Sequence, residues 1–117
     1  MHIVNRPQTA ATDTGEFITD LDGGFFEIKL SAALSKVAAA VVDKERKGAV
    51  TVTFDFEHLT GTHQVRCQHT LKFHHPTQDG KAGEEESRAT VLHVGRGGAL
   101  SLAQPSLLAN AQSKLPV

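Results

Sequence analysis

Between Val50 and Glu57 every second position is apolar: Val50, Val52, Phe54 and Phe56 alternate with Thr51, Thr53, Asp55 and Glu57. A period of two predicts a strand with one buried face. After Leu59-Thr-Gly-Thr62 the alternation resumes, with Val65, Cys67, His69, Leu71 and Phe73 on one side and Arg66, Gln68, Thr70 and Lys72 on the other. The two runs read as a hairpin closed by a four-residue loop, Leu59 to Thr62. In that register Phe56 opposes Val65, Phe54 opposes Cys67, Val52 opposes His69 and Val50 opposes Leu71, while Asp55 meets Arg66 on the other face. A slip of one residue would turn one apolar set to the wrong side.

The preceding segment has a different period. Phe26, Leu30, Ala33, Leu34, Val37, Ala38 and Val41 recur at steps of three and four, forming the apolar stripe of a helix. Asp20 or Asp22 can cap its start, Glu27 lies near the positive end of its dipole, and Lys44, Arg46 and Lys47 lie near the negative end. Gly48 is the expected terminator. Downstream, "PTQDGKAGEEES" has proline, Asp-Gly and a run of glutamates, Glu84–Glu86, which reads as a loop. "RATVLHV" then reads as a third strand, "GRGG" as a reversal and "ALSLA" as a short fourth strand.

The expected fold is therefore α+β, with one amphipathic helix (about 23–47) on a three- to four-stranded antiparallel meander (about 49–58, 63–74, 88–95 and 99–103). Residues 1–20 are polar and aperiodic and read as a flexible arm, 21–104 as a single domain, and 105–117 as an exposed tail.

Composition narrows the picture in three ways. The chain has 117 residues, enough for one small domain, but no Trp or Tyr, so the core rests on six Phe, the aliphatics and Ala. That thin core leaves Phe25 and Ile28 as candidates for burial by a second copy, and a homodimer is expected. Net charge is −1 with His neutral, which argues against a strongly basic nucleic-acid binder. The single Cys excludes an intrachain disulfide framework and fits a reducing compartment. No apolar run approaches the roughly 20 residues of a membrane span, and no leader pattern opens the sequence, so a soluble intracellular, cytoplasmic domain is expected.

Four of the seven His and the Cys fall in "HQVRCQHTLKFHHP". In the expected register His58 and His63 face each other at one end of the strand, and His74 and His75 lie at the other, about 30 Å away at about 3.3 Å per residue. They cannot share one ion, and no Cys-x-x-Cys or His-Glu-x-x-His spacing completes a set. Cys67 faces inward in mid-strand, a poor setting for a reactive thiolate. No metal site, catalytic set or cofactor is expected, and the reading is of a non-enzyme. "GRGG" is followed by a strand where a phosphate loop requires a helix. Arg66, Gln68, Thr70 and Lys72 form a polar strand face that could contact nucleic acid or a protein, without the outward aromatics that stack bases. In the tail, Gln104, Ser106, Leu107 and Leu108 resemble the short peptide with which bacterial and phage proteins dock on the DNA-polymerase sliding clamp. Pro105 and Leu108 depart from its commoner residues.

The runs "LDGGFFEIKLSAALSKVAAAVVDKERKGAVTVTFDFE", "ESRATVLHV" and "GGALS" resemble a family of small bacteriophage- and prophage-encoded proteins, over roughly residues 21 to 102. That family has no established activity, so the resemblance supplies no functional residues. Its members often lie near replication and recombination genes. The resemblance therefore implies a phage-encoded accessory protein in DNA replication, recombination or repair, with the sliding clamp or another host protein as partner. The alternative is an anti-defence or host-takeover protein that inhibits a bacterial complex.

Overall fold

The computed structural model describes residues 10–102. Helix α1 (Thr14–Asp20) leads through a 3₁₀ turn (Leu21–Gly24) into helix α2 (Phe25–Lys44). Strands β1 (Ala49–Leu59), β2 (Gln64–Pro76), β3 (Lys81–Val94) and β4 (Leu100–Leu102) follow, with a 3₁₀ turn, Arg96–Gly98, before β4. All neighbours in the sheet are antiparallel, in the order β1-β2-β3-β4. The helices cover one face of this meander, as expected for α+β. Among the described residues no helix is long and apolar enough to cross a membrane.

Residues 1–20 were expected to be a flexible arm, but residues 14–20 form α1. The Asp13 carboxylate accepts from the Glu16 N–H at 3.3 Å and caps the helix. Phe17 and Ile18 pack against the cluster built on Leu21, Phe26 and Leu71. Two apolar residues in one turn gave too little periodicity to announce a helix; tertiary packing holds it. Residues 1–9 and 103–117 lie outside the described residues.

Helix α2 begins two residues later than expected because Asp22, Gly23 and Gly24 all have left-handed backbone (φ 54, 65 and 93°). This turn reverses the chain so that Leu21 and Phe26 both enter the core, at 0 and 3% exposure. Arg88 on β3 holds it from the far side, with Nε 2.8 Å from Asp22 Oδ2. The helix ends at Lys44 with Glu45, not a glycine, in the left-handed position (φ 56°). Gly48 serves close packing instead: a Cβ there would lie 2.8 Å from Val37 Cγ1 and 2.9 Å from the His74 carbonyl. Phe26, Ala33 and Val37 are buried on the helix, whereas Leu34 and Ala38, expected on the same stripe, are exposed.

The hairpin keeps the expected faces but shifts by two residues. Phe56 opposes Cys67, Phe54 opposes His69, Val52 opposes Leu71, Val50 opposes Phe73, and Arg66 meets Glu57, not Asp55. The loop is Thr60–His63. Thr62 fixes it: its N–H and hydroxyl donate to the Leu59 carbonyl (3.1 and 2.6 Å), and its Oγ1 accepts from the Gln64 N–H (2.9 Å). Hydrophobic alternation specifies parity, and a shift of two leaves parity intact; turn chemistry selects among the remaining registers.

The third strand departs most from expectation. The segment read as a loop with Glu84–Glu86 at its end is β-structure from Lys81, paired with β2 without interruption to His93. Only residues 77–80 turn, closed by the Thr77 N–H donating to the Gly80 carbonyl at 2.8 Å. The residues from Lys81 to Ala89 are exposed, so no apolar period could show. Backbone pairing and the ion pair between Lys29 and Glu86 (2.6 Å) order them.

Candidate functional site

The sheet presents two unlike faces. Beneath the helices lie Cys67, His69 and Leu71 of β2, all buried. His69 packs edge-on to Phe26 (5.5 Å between centroids) and shares a 2.9 Å hydrogen bond with the Thr90 hydroxyl. Burial holds its imidazole below the ordinary 6.5; Asp22 opposes that shift and Arg88 reinforces it. His69 is thus a satisfied core residue. The Cys67 thiol is fully buried and is pushed up to about 11, chiefly by burial and secondarily by the Asp55 charge. A neutral, enclosed thiol is a packing group.

The remaining histidines do not converge. His58 opposes Val65, not His63, and its Nε2 lies 2.8 Å from the Thr62 carbonyl oxygen. His75 stacks on Phe73 at 6.3 Å. Among the described residues no three His, Cys, Asp or Glu side chains gather as metal ligands would.

The outer face of the sheet is open. Arg66, Gln68, Thr70 and Lys72 do share it, in one row along β2. Their neighbours across the ladders are Glu57 for Arg66, Asp55 for Gln68, and Glu85 for Lys72, while the Thr70 and Ser87 hydroxyls meet at 2.8 Å. Each cation thus stands beside a carboxylate, which weakens a phosphate-tracking role. The sequence does not reveal the acidic neighbour of Lys72, because the run of glutamates that contains Glu85 has the composition of a loop.

On the helix side, α2 and the β2–β3 ladder bound a groove of about 300 Å³, lined by Lys29, Ala32, Lys36, Leu71, Phe73, Glu84 and Glu86 among others. Lys36 Nζ sits 5.8 Å from the Phe73 ring centre. The groove carries both signs of charge, with Lys29 and Glu86 already paired. Sequence reading missed it for the same reason: two of its walls are glutamates of β3.

The surface that stands out is the outward side of α2. Phe25 and Ile28, the expected dimer candidates, are 58 and 64% exposed, and Val42 is 78% exposed. Ile28, Ser35, Ala39 and Val42 lie along one line of the helix at steps of seven, four and three, with Ser31, Ala32 and Ala38 beside it. No charged side chain lies on that line. Solvent-facing sides of helices are ordinarily charged. The tail candidates Gln104, Ser106, Leu107 and Leu108 lie outside the described residues.

Comparison with known proteins places these features in a lineage. Over 94 residues the chain is 38% identical to a protein of Escherichia coli (strain K12) called "Uncharacterized protein YfdP", covering 80% of this chain and 78% of that one. No solved structure matches. Residues 13–100, from the cap of α1 to the start of β4, match the YfdP family, and the chain belongs to that family.

Proposed function

We propose that this chain is a non-enzymatic binding protein of phage or prophage origin, an accessory in DNA replication, recombination or repair that works by protein contact in the bacterial cytoplasm. The observation that carries the binding role is the uncharged outward face of α2. Its small central residues, Ser31, Ala32, Ser35, Ala38 and Ala39, would let an amphipathic partner helix approach closely, and Ile28 and Val42 would anchor its ends. The buried His69 and Cys67 are consistent with this role, since both serve packing. The assignment to replication or repair draws on the phage-family resemblance and on the clamp-like pattern Gln104, Ser106, Leu107 and Leu108.

The test is capture from host lysate by the wild-type chain and by Ile28→Lys/Val42→Lys. Replication or repair proteins recovered by the first and lost with the second are expected. Recovery of a defence component instead would favour the host-takeover reading, and identical capture by both chains would remove α2 from the account. In parallel, deletion of residues 103–117 should abolish binding to the purified sliding clamp. Equal binding by both chains, or none by either, would refute the tail contact.

A further inference from the structure

Strand β1 is the first strand of the sheet, and among the described residues nothing pairs with its outer edge. We infer that this edge is the seam of a homodimer, in which β1 pairs antiparallel with β1 of a second copy and the two sheets become one of eight strands.

An open edge of eleven residues offers a row of backbone donors and acceptors to any other strand. Proteins usually blunt such edges with lysine, proline or a bulge. β1, "AVTVTFDFEHL", contains neither lysine nor proline, and its register with β2 runs unbroken from Ala49 to Leu59. The outer edge of β3 makes the contrast. Over Lys81–Val91 it too is unpaired among the described residues, but it carries Lys81, Glu84, Glu85, Glu86 and Arg88. One edge is protected and the other is left available.

Symmetry then selects the register. A two-fold axis relating antiparallel strands stands normal to the sheet, so residues of the same face oppose each other and both α2 helices stay on one side. With the axis at Phe54, all eleven residues of each strand pair. Val52 opposes Phe56 of the second copy, Val50 opposes His58, Thr53 opposes Asp55 and Thr51 opposes Glu57. No like charges meet, and Phe56, 51% exposed in the single chain, gains a β-branched neighbour. Moving the axis to Asp55 sets Asp55 against its own copy; moving it to Thr53 leaves His58 and Leu59 unpaired. The helix layer agrees with this seam. Lys29, Ala32 and Lys36 turn toward β3, where they line the groove, so Leu30, Leu34 and Val41 on the other flank overlook the β1 side. Leu34 is 52% exposed there.

The seam is independent of the partner-binding role of α2, because Thr53 lies on the opposite face of the sheet from that helix. Sedimentation of the full chain at graded micromolar concentration should show a dimer. Thr53→Asp should raise its dissociation constant about tenfold, since two carboxylate pairs then face each other across the axis. Thr53→Lys should leave the dimer equal or tighter, and Thr53→Asp/Asp55→Lys should restore it by exchanging the charges. A monomeric wild-type chain would overturn the proposal. So would equal effects of Thr53→Asp and Thr53→Lys, or a dimer insensitive to all three and broken by Ile28→Lys.

Discussion

Two strands flank β2, and they hold their places by different means. β1 is ordered from its own composition: Val50, Val52 and Phe54 are half-buried beneath the helices, and Phe54 meets Phe17 and Phe26 at 5.3 and 5.9 Å. The first half of β3 buries almost nothing and is ordered by its neighbour, through the backbone ladder and through Lys29–Glu86 and Arg88–Asp22. The first kind of strand has a rim without lysine or proline, whose charges are Asp55 and Glu57 alone, and it is suited to pairing again. The second has a charged rim that resists it.

The contrast can be broken most forcefully at Gly83. A Cβ there would fall on the Phe73 carbonyl oxygen, so Gly83→Ala should loosen the distal β2–β3 ladder and cost about 3 kcal/mol in urea unfolding. Gly48→Ala at the entry to β1 should cost less, because two of its three nearest atoms belong to the Val37 and Val41 side chains, which can move. Next in size, Phe54→Ala should cost about 2–3 kcal/mol, by loss of partly buried aromatic contact.

His69 supplies a pH test of the layer between these strands. Its folded pKa lies below 6.5, so the native state resists protonation that the unfolded chain accepts. Stability should be unaffected by this group above about pH 7 and should fall as pH drops through 6.5, levelling only once the folded imidazole also titrates. His69→Gln should flatten that part of the profile of unfolding free energy against pH. The smallest effect belongs to the charged rim. Glu86→Gln should cost about 0.5 kcal/mol or less, since both partners of its pair with Lys29 are more than a third exposed, and added salt should erase the difference.

How much the sequence disclosed follows the same division. α2, β1 and β2 were readable because each has a buried side that imposes a period on its residues. Their faces followed from that period, apart from Leu34 and Ala38; the hairpin shift did not, because it depends on hydrogen bonds made by Thr62. The early half of β3 was illegible, since a strand exposed on both faces shows no alternation, and Asp-Gly with three glutamates looks like a loop. The candidate surfaces divided likewise. Exposure of Phe25 and Ile28 could be anticipated from a thin core, whereas the acidic neighbours of Arg66 and Lys72 required the true register and the true extent of β3.

Residue-resolved amide hydrogen exchange tests the central claim, that β1 pairs on both sides and Lys81–Val91 of β3 does not. In an edge strand, alternate amides point away from the sheet and exchange freely. At concentrations where the dimer forms, every amide of the central part of β1 should be protected. On dilution the outward set should be lost while the inward set remains, and Lys81–Val91 of β3 should show the alternating pattern at all concentrations. An alternating pattern in β1 that persists at high concentration would contradict the account.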